Sequence, residues 1–177
     1  MRRALIISSD NFEDMELFYP FYRLQEDGWE VDVAGPATGT IVGKHGYEYT
    51  TTIAFKDVRP ERYSLLIIPG GKAPESVRLH EHALKITRYF FDKRIPIGAI
   101  CHGPQVLISA GLLSGRKVTC WQGIKDDVMA AGAQYRDCEV AEDHNLVTSR
   151  SPSDLPAFMR QIRILVETPD LKKVAGI

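Results

Sequence analysis

The chain has 177 residues and a formal net charge of −1, from 22 Lys+Arg against 23 Asp+Glu. That length fits one compact domain, residues 1–177, burying roughly 70% of the unfolded surface, and the balanced charge without a basic block argues against nucleic-acid and membrane-surface partners and for a small-molecule or protein substrate. The N-terminal apolar run is too short for a signal peptide or a membrane span, which places the protein in the cytoplasm, and 3 cysteines without paired spacing argue against a disulfide scaffold or a zinc knuckle and leave at least one free thiol.

Residues 3–8 form a continuous apolar run ending at Ser9-Asp10-Asn11, the pattern of a strand buried on both faces. Met15, Phe18, Tyr22 and Leu24 then recur near helical spacing, and Gly28 stands where a helix closes in the left-handed conformation. Residues 29–34 read as a second strand. The stretch 39–53, with Gly43, Gly46 and several Thr and Tyr residues, reads as a small hairpin or irregular excursion that decorates the sheet. Residues 65–68 are a buried strand breaking at Gly70-Gly71, followed by a long helical pattern over 74–94. A strand over 95–100 leads into a helix over 103–110 that stops at Gly111. Further strands are predicted at 117–121, 134–141 and 146–149, with a helix over 124–131 and a hairpin turn at Glu142-Asp143-His144-Asn145. Ser153 is placed to cap a final helix over 154–167. Strands alternating with helices imply a mostly parallel sheet covered on both faces.

In such sheets the site lies beyond the carboxyl ends of the strands. Three segments end there: Asn11-Phe12-Glu13, Gly70-Gly71 and Cys101-His102-Gly103. The last resembles a nucleophile elbow, with Gly98, Ala99 and Gly103 supplying small neighbours. At a helix start the free amides should pull the Cys101 pKa below its ordinary value of ~8.5. Cys120 and Cys138 sit at no such junction and read as structural. His102 adjoins Cys101, but neighbouring side chains on a tight turn diverge, so a direct pair within the chain is awkward. Glu13 follows a strand end that could converge on the elbow, where a carboxyl would share a proton with the thiol; from spacing alone it reads as a solvated carboxylate at a helix start. The Gly70-Gly71 backbone can supply amides for an oxyanion, and no phosphate-loop motif is present. His80-Glu81-His82 faces different sides of a helix and lacks the H-E-x-x-H spacing, so no metal site is assigned.

Four segments resemble the PfpI-type intracellular cysteine peptidases and their glyoxalase and deglycase relatives. They are Asn11-Phe12-Glu13-Asp14-Met15-Glu16-Leu17, Gly43-Lys44-His45-Gly46-Tyr47, Pro69-Gly70-Gly71-Lys72-Ala73-Pro74-Glu75 and Ala99-Ile100-Cys101-His102-Gly103-Pro104-Gln105. The resemblance implies a flavodoxin-like three-layer sandwich, a single domain also similar to class I glutamine amidotransferases, and no cofactor. It implies Cys101 as nucleophile, Glu13 as its carboxylic acid partner, and the backbone of Gly71 and His102 as oxyanion donors. It further implies that Glu75 reaches His102 of a neighbouring subunit, completing a Cys-His-Glu triad in dimers assembled into hexamers. Trp121 stands where some relatives carry a tyrosine near the thiol. His144 is followed by Asn145 and Leu146 rather than by the His-x-Glu pair of the amidotransferases, which argues against a glutaminase.

The first functional expectation is a cofactor-independent enzyme acting on small reactive carbonyls such as glyoxal or methylglyoxal and on their early adducts. Cys101 would add to the aldehyde as a hemithioacetal, Glu13 would move a proton between carbons, and water would release a hydroxy acid. A second is an oligomer-dependent peptidase using Cys101, His102 and a neighbour's Glu75. A third is a redox-sensing stress protein or holdase in which Cys101 is oxidised to sulfinic acid.

Overall fold

The computed structural model describes residues 2–167, so the two ends of the expected 1–177 domain lie outside the described residues. Strand β1 (Arg3–Ile7) leads into helix α1 (Asp14–Glu26) and returns as β2 (Glu30–Gly35). A hairpin of β3 (Gly39–Val42) and β4 (Glu48–Thr51) precedes a short edge strand, β5 (Ile53–Ala54). The chain then crosses to β6 (Leu65–Ile68), α2 (Ala73–Val77), α3 (Glu81–Asp92), β7 (Ile97–Ile100) and α4 (Pro104–Ala110). It finishes with β8 (Lys117–Val118), α5 (Lys125–Ala130), β9 (Gln134–Tyr135), β10 (Ala141–Asp143), β11 (Leu146–Ser149) and α6 (Leu155–Glu167).

The main sheet runs in the order β10-β11-β7-β6-β1-β2-β5, parallel throughout except for the β10–β11 pair. Central strands are apolar on both faces, as burial on both sides requires. Leu5, Ile7, Leu66 and Ile68 point into a core closed by Phe90, Leu107 and Val128 from α3, α4 and α5. Ala4, Ile6, Leu65 and Ile67 point the other way, against Leu17 and Leu24 of α1 and Phe158 and Ile162 of α6. The result is the three-layer sandwich expected from the sequence. After β1 the chain moves toward one edge, through β2; after β6 it moves toward the other, through β7. The switch between β1 and β6 opens the crevice in which such sheets place their ligands. No helix among the described residues is long and apolar enough to cross a membrane.

Several elements depart from the sequence expectation for local reasons. The helical pattern over 74–94 breaks at Leu79 and His80, where His80 takes an extended backbone, giving α2 and α3. The strand expected over 117–121 stops at Val118, because the Thr119 amide donates to Thr148 Oγ1 and the Trp121 amide to the Cys101 carbonyl, drawing the segment onto the elbow. The strand expected over 134–141 divides into β9, which pairs with β8, and β10. Ser153 makes a hydrogen bond to Ser151 rather than capping α6, and the buried Asp154 instead accepts the Arg150 amide and guanidinium. Met15 and Tyr22, predicted on the apolar stripe of α1, are 60% and 61% exposed; the buried face is Glu16, Leu17, Pro20 and Leu24.

Phe158 is fully buried between α6 and β7, where only Gly98 leaves room for its ring. Phe158→Ala should lower unfolding stability by about 3–5 kcal/mol in denaturant titration. A loss below about 1 kcal/mol would mean that α6 can close over the void, contrary to this packing.

Candidate active site

Cys101 follows the last residue of β7 in a left-handed backbone, φ 61°, uncommon for a residue with a Cβ. Such a conformation costs of the order of 1–3 kcal/mol and survives where surrounding bonds impose it. Here the Cys101 amide donates to Ser149 of β11, its carbonyl accepts from Trp121, and the Gly103 amide folds back to Ile100. Gly103 cannot be larger, since a Cβ would lie 2.4 Å from the Ile68 carbonyl oxygen. The elbow read from the sequence is therefore present, and all three cysteines are free.

The carboxyl beside the thiol is Glu16, not the Glu13 expected. Glu16 is completely buried on the first turns of α1. Its Oε2 accepts the Gly70 amide at 2.8 Å, while Oε1 has no partner among the described residues. Gly70 makes this approach possible: a Cβ there would fall 2.5 Å from Glu16 Oε2 and 2.7 Å from Cys101 Cβ. Because its amide is engaged by Glu16, Gly70 is not available as the oxyanion donor that the sequence predicts. The amides of Gly71 and His102 face the Cys101 sulfur. Gly71 adopts φ +76°, and a Cβ there would meet the Asn11 and Glu13 backbone at 2.4 Å.

Burial pushes the Glu16 carboxyl up to about 8, helped by the charge of Glu13 and opposed by the Gly70 amide, by a hydrogen bond with Cys101 and, least, by the charge of Lys44. Burial also pushes the Cys101 thiol up to about 12, helped by the charge of Glu16 and opposed by the Gly71 and His102 amides. The lowered thiol expected from a helix start is thus reversed. Helix α4 is only seven residues long, and its free amides do not offset loss of water and a neighbouring carboxyl. The two groups titrate as one pair that gives up its protons in two steps.

Glu13 lies one turn before Glu16, buried at the mouth of the crevice, and forms an ion pair with Lys44; its other oxygen is 3.6 Å from His45 Nε2. Both basic residues come from the turn of the β3–β4 hairpin, which is therefore part of the site rather than decoration. Asp14 ties that turn down by accepting the His45 and Tyr47 amides. Glu13, Asp14 and His45 bring ligand-type atoms within 4.8 Å of one another, but these carboxylates already hold Lys44 and two amides.

His102, whose side chain is expected to diverge from its neighbour's, instead has Nδ1 3.3 Å from Cys101 Sγ. The left-handed turn at Cys101 brings the two side chains to the same side. Burial lowers the His102 pKa, with the Glu75 charge opposing, which favours the neutral ring. It leans toward Trp121, centroids 6.4 Å apart. Glu75 itself is exposed on α2. Of the residues singled out from the sequence, Cys101, His102 and Gly71 come together, and Glu13 and Glu75 stand at the rim. Glu16 and Lys44 join the site without having been assigned a role in it from the sequence.

A model described as the DJ-1/PfpI family matches residues 2–164. The chain is 52% identical over 159 residues to "Deglycase PYRAB04690" of Pyrococcus abyssi, covering 90% of this chain and 96% of that protein. It is 49% identical over 159 residues to "Deglycase PfpI" of Pyrococcus furiosus, with the same coverage. Among solved structures, a two-domain protein of Anabaena variabilis containing DJ-1/ThiJ/PfpI-like and ferritin-like domains is 29% identical with a TM-score of 0.92. That match covers 99% of this chain and 54% of the other, so the present chain spans about half of the two-domain protein.

Glu16→Gln keeps the shape and removes the charge. Since the Glu16 charge raises the Cys101 pKa, thiolate absorbance in the variant should rise in one step on the acid side of 12, where the wild type rises in two. Stability gives a second check. The folded-state pKa of Glu16 is raised, so its contribution is present at low pH and lost as pH rises through about 8. The melting temperature of Glu16→Gln should therefore gain on the wild type between pH 5 and pH 9, about where that carboxyl titrates. An unchanged thiolate titration and a constant difference in melting temperature would remove Glu16 from the pair.

Proposed function

The chain belongs to the DJ-1/PfpI family, and on that premise we propose that it is a cofactor-independent, cysteine-dependent enzyme of small reactive carbonyls, converting glyoxal or methylglyoxal to a hydroxy acid or releasing their early adducts. The supporting observation is a completely buried carboxyl with one unpartnered oxygen, set against a buried thiol on a left-handed elbow. A buried polar atom without a partner is costly, and its persistence beside a nucleophile fits a proton carrier whose partner is substrate. The names of the two Pyrococcus relatives agree with this chemistry.

The reaction follows from the two groups. Cys101 sulfur attacks the aldehyde carbon, Glu16 takes the thiol proton, and the carbonyl oxygen receives it, giving a hemithioacetal. Glu16 then removes the remaining hydrogen from that carbon, and the electrons move onto the neighbouring carbonyl to form an enediol. Return of the proton to the neighbouring carbon leaves a 2-hydroxyacyl thioester on Cys101. Water cleaves the C–S bond, releasing the hydroxy acid and the thiol, so the sum is dicarbonyl plus water to hydroxy acid. The Gly71 and His102 amides supply hydrogen bonds for the oxyanion at the first and last steps. In an amine adduct the C–N bond breaks as the C–S bond forms, and the amine leaves with the proton Glu16 carries.

A second reading, an intracellular peptidase, is favoured by the 3.3 Å approach of His102 to Cys101. It takes a homo-oligomer in which Glu75 of another copy holds His102 protonated for the leaving amine. The lowered pKa of His102 in a single chain makes that outside carboxylate necessary to this reading.

Methylglyoxal consumption with lactate formation in chelator-treated buffer distinguishes the two. Wild type should form lactate, Cys101→Ser should fall to background, and Glu16→Gln should lose about 10²–10⁴-fold. Chelation should change nothing, because Cys101 and Glu16 handle every bond and proton. Lactate formation that survives Cys101→Ser defeats the reading. Peptide cleavage that disappears on dilution, with no lactate at any concentration, transfers the function to the oligomeric peptidase.

A further inference from the structure

The β3–β4 hairpin is held to the crevice by a set of bonds at Lys44 and on either side of it. The Asn11 amide donates to the Val42 carbonyl at 2.7 Å, and the Val42 amide to Asp10 Oδ1 at 2.9 Å. The Lys44 amide donates to the Phe12 carbonyl at 2.9 Å, and the Gly43 amide to the Tyr47 carbonyl at 2.7 Å. Asp14 accepts from His45 and Tyr47, and packs so closely that a Cβ on Gly43 would lie 2.4 Å from its Oδ1. The backbone of Lys44 is thereby fixed over the first turn of α1, and Glu13 fixes its ammonium although the side chain is 47% exposed. An exposed lysine held at both ends loses rotamer freedom that an ordinary surface ion pair does not repay.

We propose that Lys44, delivered by the hairpin and anchored by Glu13, is a positioning residue whose charge favours loss of the first proton from the Glu16–Cys101 pair. Among the described residues, few groups face that pair. Glu13 comes from the β1–α1 loop, Lys44 from the hairpin, His102 from the elbow, and Glu75 acts on His102 from α2. Among them Lys44 is the cation that opposes burial: its charge lowers Glu16, and the charges of Glu13, Cys101 and Glu16 all raise Lys44 in return. Glu13 has the contrary effect on Glu16, so pairing it with Lys44 both neutralises a like charge and holds the useful one in place. This assigns Glu13 a supporting part in place of the direct one expected. The inference takes from the proposed function only that Glu16 and Cys101 react as a pair; the substrate does not enter.

The test reads the pair and not turnover, so it stands apart from the question of substrate. The pH dependence of Cys101 alkylation by iodoacetamide is measured on the full chain with Cys120 and Cys138 changed to serine. Lys44→Met should move the first rise toward alkaline pH by about half to one unit, the effect of one partly screened charge. Lys44→Arg should keep the wild-type position, and Lys85→Met, an exposed change on α3, should leave it unmoved. A Lys44→Met profile that superposes on the wild type overturns the proposal even if activity falls, because the residue then acts only on the hairpin. So does Lys44→Arg moving as far as Lys44→Met. Should Lys44→Met not fold, Lys44→Gln is titrated in its place: an alkaline shift of the same size supports the proposal, and superposition on the wild type overturns it.

Discussion

Everything in the site depends on how closely the backbone of Gly70 lies between its neighbours. Its amide binds Glu16 and its carbonyl accepts the Glu13 amide, so Glu13 and Glu16 at the start of α1 are registered to the end of β6. On its other side stands Cys101, at a distance that leaves no room for a single methyl group. Adjacent strands of a sheet lie roughly 4.8 Å apart, and here β1, β6 and β7 are neighbours. The separation of thiol and carboxyl is therefore a property of the sheet. A flexible pair of side chains could not keep that separation, and a larger residue at position 70 would force it open.

That closeness has an electrostatic cost that the rest of the molecule absorbs. A carboxyl with no exposure and one unpartnered oxygen resists ionisation, and a fold that holds it loses stability as pH rises through its titration. Two apolar layers on either face of the sheet supply the compensation, with Phe12, Leu17 and Ile100 packed directly behind the reacting groups. The burial that makes Glu16 an inconvenient residue for stability also pushes its titration up to about 8, as the proposed proton transfer needs. In the proposed reaction, activity and stability are opposed at this position for one physical reason.

The sequence carries the fold and the position of the elbow cysteine in local signals. The apolar runs at 65–68 and 95–100, ended by Pro69-Gly70-Gly71 and Cys101-His102-Gly103, read as buried strands with abrupt ends, and a cysteine at such an end stands out. The carboxyl is harder to choose. Glu13 caps the start of α1 and Glu16 lies three residues on, and spacing alone reads the first as a solvated carboxylate and singles out neither. Which of them reaches the thiol depends on how far the helix start sits from Gly70. The misleading stripe of Met15 and Tyr22 conceals the one useful clue, that Glu16 shares its face with Leu17, Pro20 and Leu24. Lys44 carries no local signal, because its partner Glu13 is distant in sequence and the pair forms only when the hairpin folds back across the crevice. His102 departs from expectation for a different reason: only the sign of φ at Cys101 decides whether adjacent side chains diverge.

The site is thus built in two tiers of unequal rigidity. Cys101, Glu16 and the Gly71 amide belong to the ends of central strands or to the helix docked on them, and none of them can shift without disturbing the core. Around them stand the hairpin with Lys44 and His45, the Trp121 segment pulled off its strand, and α2 with the exposed Glu75, all outside the main sheet. Changes in these outer pieces can alter which molecule reaches the thiol and what charge it meets while the inner tier stays as it is. In the proposed reaction, a fold arranged this way fixes a nucleophile and a proton carrier once and leaves the choice of substrate to its periphery.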